Sequence, residues 1–238
     1  MRTVLVTGGG RGIGAAIATM FRDQGDRVAI ADISFDTFER SGNHLLGPCD
    51  VRDRLSVRAF VDRVEQEIGP VDILVNNAGI YPMQPFEEIQ EDQWRNVMAT
   101  NVDSVFHFAQ AVLPNMRARK WGRIINIASN TFFMGLPYLS HYVASKGAVI
   151  GLSKSLAAEV GADGITVNCI APNFTRTEGT AVVERDAPDV VAQTIASQAV
   201  PRIGLPQDIV GSVRFLASDD SAFMTAQTMV VDGGTIRR

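Results

Sequence analysis

The chain has 238 residues, 46% of them hydrophobic and 20% charged, which suits a soluble protein with one large core or two small ones. A net charge of −4 and an isoelectric point near 5.4 offer no attraction to nucleic acid or to an anionic membrane, so neither partner is expected. Cys49 and Cys169 form no C-x-x-C pair, and His44, His107 and His141 lack metal-ligand spacing, so no metal site is expected.

In chain order, the first apolar run, at 4–6, stops at glycines, and no later run reaches about 18 uninterrupted apolar residues. The expectation is a cytoplasmic protein without a signal peptide or membrane span. Short β-branched runs then alternate with longer stretches of helical period. That pattern predicts an α/β doubly wound sandwich: a seven-stranded parallel sheet with helices on both faces, in a single domain over 1–238. The predicted strands are 3–6, 27–31, 45–49, 71–75, 123–128, 165–170 and 229–231. The predicted helices are 12–24, 54–68, 92–119, 142–160 and 206–217, with Pro206 at the last helix start. The segment 177–204 has no clear period and carries Pro188 and Pro201. It reads as a substrate lid or, equally, as a surface excursion with a short packed helix.

Between the first strand and first helix stands Thr7-Gly8-Gly9-Gly10-Arg11-Gly12-Ile13-Gly14, and Asp32 closes the second strand 18 residues after Gly14. Glycines there let the backbone approach a pyrophosphate, and the N–H groups at the helix start bind it. The carboxylate accepts from ribose hydroxyls. A glycine-rich loop alone is weak evidence, but this order of strand, loop, helix and acid is the Rossmann dinucleotide fingerprint. Asp32 would repel a 2′-phosphate, whereas Arg11 could pair with one. Asp32 sits at the ribose itself, so NAD is the expected cofactor and NADP the alternative.

Further along come Ser129 and, thirteen residues later, Tyr142-Val143-Ala144-Ser145-Lys146. Residues four apart share a helix face, so Tyr142 and Lys146 share one site. A fixed ammonium is expected to lower the phenol pKa toward the working pH, where it can give or take a proton in alcohol and carbonyl chemistry. Taken alone, the spacing also describes a solvated tyrosine beside a lysine.

Together these motifs resemble the short-chain dehydrogenase/reductase family across essentially the whole chain. The loop fits its T-G-x-x-x-G-x-G, Asp50-Val51 its D-V, and Asn76-Asn77-Ala78-Gly79 its N-N-A-G. Asn101 fits its helix asparagine, and Ser129, Tyr142 and Lys146 complete its tetrad. The resemblance implies that Tyr142 is the acid/base and Ser129 the donor to the substrate oxygen. It also implies that Lys146 holds the nicotinamide ribose and Asn101 a water linking Lys146 to solvent. Cofactor contacts are implied for Gly8, Arg11, Gly12, Ile13, Gly14, Asp32, Ile33, Asp50, Val51, Asn77, Ala78, Gly79, Tyr142, Lys146, Pro172, Phe174, Thr175 and Thr177. Two departures stand out. Pro172-Asn173 replaces Pro-Gly, and Asn173 is expected to take the left-handed geometry. Only 17 residues separate Asp32 from Asp50, so the intervening helix is expected to shrink to about one turn.

Tyr81, Phe132, Phe133, Met134, Leu136, Tyr138, His141 and Phe174 fall near the predicted reacting centre. They read as an apolar substrate pocket with His141 and the tyrosines as polar handles; for each, core or interface packing is the competing reading. The segments at 76–86 and 231–238 resemble 1-phenylethanol dehydrogenases, and 129–133 resembles pyridoxal 4-dehydrogenase. These likenesses imply NAD-linked oxidation of a small-molecule secondary alcohol beside an aromatic or bulky apolar group. The alternatives are an NADPH-linked 3-oxoacyl reductase and a non-catalytic dinucleotide sensor. Family likeness also implies a homotetramer, with Val105, Phe108 and Val112 at its interfaces.

Overall fold

In the computed structural model, residues 1–237 are described; Arg238, the last residue of the tail motif, lies outside them. The strands are β1 (Thr3–Thr7), β2 (Arg27–Asp32), β3 (Glu39–Ser41), β4 (His44–Pro48), β5 (Ile73–Asn76), β6 (Gly122–Ile127), β7 (Ile165–Pro172) and β8 (Thr228–Val231). Their order in the sheet is β3-β4-β2-β1-β5-β6-β7-β8. Every pairing is parallel except β3 with β4. The chain runs outward from β1 in both directions, so a crevice opens beyond the carboxyl ends of β1 and β5, where doubly wound sheets bind ligands.

The helices are α1 (Gly12–Asp23), α2 (Arg54–Glu67), α3 (Glu91–Met98), α4 (Ser104–Arg119), α5 (Thr131–Met134), α6 (Ser140–Val160), α7 (Ala181–Asp186), α8 (Pro188–Ser197) and α9 (Pro206–Ala217). Alternate side chains of one strand serve opposite faces. On β1, Val4 and Val6 join Ile17 and Phe21 of α1 and Ile209, Val213 and Leu216 of α9. Leu5 faces the other way, with Val57 and Phe60 of α2 and Phe108 and Val112 of α4. The core is therefore two apolar layers separated by the sheet, and β1, β6 and β7 are buried along their whole length.

The segment between Asp32 and Asp50 differs from expectation. It forms no helix turn. It adds an eighth strand, β3, which pairs with β4 as a hairpin in register Ser41↔His44 around Gly42-Asn43. Gly42 takes φ +55°, the geometry that a two-residue hairpin turn asks of its first central residue. Phe38 does the covering that a helix would have done. Its ring packs over Gly47, where a Cβ would stand 2.2 Å from it, and lies 5.7 Å from the Phe60 ring.

Two further expectations change. The helix predicted at 92–119 is divided by a π-helical turn, Ala99–Asp103, between α3 and α4. Val105, Phe108 and Val112 are not interface residues of the folded chain: they are buried in its own core, Phe108 and Val112 completely. The outward apolar residue on α4 is Phe106, 45% exposed. The segment at 177–204 carries two short helices, α7 and α8.

Candidate active site

The glycine loop links β1 to α1, whose first turn has no side-chain cap. Its N–H groups and dipole are thus available to an anion. Gly14 is required by close approach, because a Cβ there would stand 2.3 Å from the Gly8 carbonyl oxygen. The loop is braced from β5: Asn77 Nδ2 donates to the carbonyls of Thr7 (3.0 Å) and Gly8 (2.9 Å), while Thr7 Oγ1 accepts from the N–H groups of Asn77 and Ala78. Thr7 was not singled out from the sequence, although a threonine ending a buried strand before glycines is such a brace.

Asp32 closes β2 beside this loop. Its carboxylate accepts from Gly10 N at 2.9 Å, Ser34 N at 2.9 Å and Ser34 Oγ at 2.8 Å. Burial pushes its pKa up, but the bonds from Ser34 and Gly10, with Arg11 nearby, win and hold it below the ordinary value. Three of about four acceptor positions are used, which leaves one for a ribose hydroxyl. Ile33 beside it is 69% exposed, as a residue under an adenine would be. Asp50 is clamped by Arg52, with Arg52 Nη2 2.7 Å from Oδ2, and Arg52 reaches on to Asn96 Oδ1 at 3.0 Å. Ser34 and Arg52 are site residues that motif reading missed.

A cleft of about 530 Å³ lies between the loop, the start of α1 and the beginning of the 177–204 segment, with Arg11, Gly12, Thr177 and Glu178 among its walls. Tyr142 and Ser129 do not line it, so it lies on the glycine-loop side of the site.

Tyr142 and Lys146 stand one turn apart near the start of α6. Lys146 is 4% exposed, and its Nζ donates to the Ile127 carbonyl at 2.7 Å while lying over the Tyr142 ring, 5.6 Å from its centroid. The expected lowering of the phenol pKa is overturned. Burial pushes Tyr142 up to about 12, against a hydrogen bond with Ser129, even though the residue as a whole keeps partial exposure. Burial likewise pulls Lys146 down to about 8. The ammonium lies over the ring and donates to the end of β6, and desolvation wins.

Ser129 Oγ accepts from Thr131 N (3.2 Å) and Thr131 Oγ1 (3.0 Å). Its own proton is left for Tyr142 or a substrate oxygen. Asn101 sits in the π-helical turn. Its Oδ1 accepts from Ile80 N, and its Nδ2 donates to the Ile80 carbonyl and to Ser145 Oγ, each at 2.9 Å. It converges with Lys146 at Gly79, where a Cβ would stand 3.3 Å from Asn101 Oδ1 and 3.5 Å from Lys146 Nζ. The sequence-derived tetrad is thus assembled in one place.

Other expected residues sit differently. His141 is fully buried, with Nδ1 accepting from Tyr142 N at 3.0 Å, so it is no substrate handle. Asn173 avoids the left-handed region; Tyr138 is the residue that enters it, at φ +63°. Pro172 ends β7, Phe174 and Thr177 follow half-buried, and Thr175 turns its hydroxyl onto the Asn173 carbonyl at 2.9 Å. Tyr81 meets Tyr142 edge-on at 6.0 Å.

Comparison with known proteins fits this geometry. A family model described as enoyl-(acyl carrier protein) reductase matches residues 8–235. A probable galactose dehydrogenase of Rhizobium meliloti is 38% identical, over 98% of this chain and 94% of its own. A 3-oxoacyl-[acyl-carrier-protein] reductase of Haemophilus influenzae is also 38% identical, over 98% and 97%. The crystal structure of a putative gluconate dehydrogenase from Agrobacterium tumefaciens superposes with a TM-score of 0.90 at 30% identity, covering 98% of this chain and 95% of that one. No helix among the described residues is long and apolar enough to cross a membrane. The chain therefore belongs to the short-chain dehydrogenase/reductase family, oxidoreductases that act on alcohol and carbonyl groups with an NAD(P)-type dinucleotide.

Proposed function

We propose that this chain is an NAD-dependent dehydrogenase/reductase, one catalytic domain working in the cytoplasm as a homotetramer, for secondary alcohols or ketones that carry an aromatic or bulky apolar group. The observation that carries the substrate reading is an apolar collar on the two segments beside Tyr142. Tyr81 and Met83 follow the N-N-A-G turn, and Phe132, Met134, Leu136 and Tyr138 lie between Ser129 and α6, all 37–56% exposed. The segments are joined by Gln84 N donating to the Tyr138 carbonyl at 2.8 Å. Exposed rings and a methionine grouped this way favour an apolar ligand.

In this reading a dinucleotide held by the glycine loop, Asp32 and Lys146 would supply or accept the hydride. The Tyr142 hydroxyl gives a proton to the carbonyl oxygen in reduction and takes one from the alcohol in oxidation. Ser129 donates to the same oxygen and fixes the reacting carbon. Lys146 holds ribose hydroxyls, and Asn101 steadies the turn beside it and the water through which protons leave. A phenol held at about 12 is in its acid form at neutral pH, so the free protein is poised for reduction and oxidation gains as pH rises. Asp32 favours NAD by leaving one acceptor site for a 2′-hydroxyl and repelling a 2′-phosphate.

A panel of aryl alcohols, sugars and 3-oxoacyl thioesters, assayed with NAD(H) and NADP(H), tests this. Turnover of aryl alcohols with NAD, abolished by Tyr142→Phe, is the expected result. Activity confined to sugars or thioesters refutes the substrate reading, and equal or better rates with NADP refute the cofactor reading. The second reading is an NADPH-linked 3-oxoacyl reductase, supported by the Haemophilus relative and by Arg11 in the loop, and opposed by Asp32.

A further inference from the structure

The segment 177–204, in its lid reading, is entered from Asn173, just after β7, and carries Gln198, just after α8, and both residues arrive at one place. That place is the turn that follows β8, Asp232 to Thr235. Asn173 N extends the ladder by donating to the Val231 carbonyl at 3.3 Å. Its side-chain Nδ2 donates to Thr235 Oγ1 at 2.9 Å and approaches the Asp232 carbonyl at 3.4 Å. With the Gln198 amide oriented so that its nitrogen faces the carbonyls of Val200 and Arg202, the Gln198 oxygen accepts from the same Asn173 Nδ2 at 2.8 Å. The two protons of the Asn173 amide are thus shared between Gln198, beyond α8, and the C-terminal turn. Gln198 is 8% exposed and Asp232 6%, so water does not readily replace these partners.

The C-terminal turn is itself rigid. Asp232 accepts from Gly234 N at 2.9 Å and Ile236 N at 2.8 Å, Thr235 Oγ1 donates to the Asp232 carbonyl at 3.0 Å, and Val200 N donates to the Gly233 carbonyl at 2.8 Å. From Asn173 the order is handed into the lid. The Asn173 carbonyl takes the Thr175 hydroxyl, the Thr175 carbonyl takes the Thr180 hydroxyl at 3.0 Å, and Thr180 Oγ1 accepts from Thr177 N at 2.8 Å. Thr177 lies against the glycine loop, 3.2 Å from where a Gly12 Cβ would be.

We infer that Asn173 is a positioning residue: its amide clasps the entry of the lid and Gln198 to the C-terminal turn and so sets the backbone of residues 174–177 against the glycine-loop cleft where the dinucleotide would bind. The inference rests on the dinucleotide-binding reading proposed above. A glycine at this position has no side chain to make the clasp, so its backbone would hold the lid less tightly.

The test compares the full-length parent with Asn173→Gly, Thr235→Val and Thr235→Ser. Two readouts are taken on each: NADH titration by nucleotide fluorescence, and the rate of tryptic cleavage at Arg185, an exposed residue on α7. Thermal melts verify folding. Loss of hydrogen bonds of this kind weakens binding by about three- to tenfold. Asn173→Gly and Thr235→Val should both show that weakening together with faster cleavage at Arg185, and Thr235→Ser, which keeps the acceptor, should keep parental values. The inference is overturned if both loss variants bind NADH within about twofold of the parent. It is also overturned if binding weakens with no change in lid cleavage, or if Thr235→Val merely melts earlier. A parent that binds no dinucleotide would instead remove the functional reading, while the cleavage comparison would still decide the clasp.

Discussion

Lys146 is a charge placed where the fold would rather have none, and Lys146→Met measures that cost. Burial takes its pKa from an ordinary 10.5 to about 8. The gap corresponds to about 3 kcal/mol favouring the neutral form in the folded state relative to the unfolded one. The folded value is the lower one, so the unfolded chain binds more protons between the two values. The penalty is therefore complete below pH 8 and is relieved as pH rises toward 10.5. Evaluated at two accessible points, the parent should gain about 1 kcal/mol of unfolding free energy from this group between pH 7 and pH 9. Methionine fills similar space without a charge, although the Ile127 carbonyl then loses its donor, which costs about 1–3 kcal/mol at any pH. Urea titrations of parent and variant at pH 7 and pH 9 give a double difference in which the other titrating groups cancel. The parent should stabilise more than Lys146→Met by about 1 kcal/mol over that interval, and the variant should be inactive throughout. An identical pH response in the two proteins would refute the burial argument.

Two other outcomes follow from the geometry. Asp32→Ala removes the acceptor of Gly10 N, Ser34 N and Ser34 Oγ, so it should cost about 1–3 kcal/mol of stability; in steady-state kinetics it should also shift the kcat/KM ratio toward NADP by about tenfold or more. Phe108→Ala should cost about 3–5 kcal/mol in urea unfolding because the ring is fully enclosed. A near-zero cost accompanied by a drop in assembly mass would return Phe108 to an interface.

The sheet was legible because its strands are buried on both faces and so read as apolar runs, with the glycine loop marking the first crossover. The tetrad was legible for a similar reason: each member belongs to a motif whose spacing the fold fixes. Three things were hidden, and each is tertiary. Asp32 to Asp50 reads in the sequence as a helix cut to about one turn, and only the packing of Phe38 onto Gly47 and Phe60 shows why a hairpin takes its place. The apolar stripe of α4 looks the same on paper whether it meets a partner or the sheet, and it meets the sheet at Leu5 and Leu74. The Tyr142 pKa was misjudged because spacing on a helix says that two heads are near, not which atoms face each other or how much water is left.

The π-helical turn at Ala99–Asp103 holds one more residue than a regular helix would over the same path. The facing of Asn101 toward Ile80 and Ser145 is thus a matter of residue count as much as residue type. Removing a single residue from the turn would let α3 and α4 fuse into one regular helix over the same path, with Val97 on α3 and Phe108 on α4 still facing inward. Asn101 alone would lose the wider turn that aims it at Gly79. Side-chain substitution cannot reproduce that error, so the tolerance of this stretch to deletion is set by the turn that holds Asn101 rather than by the core.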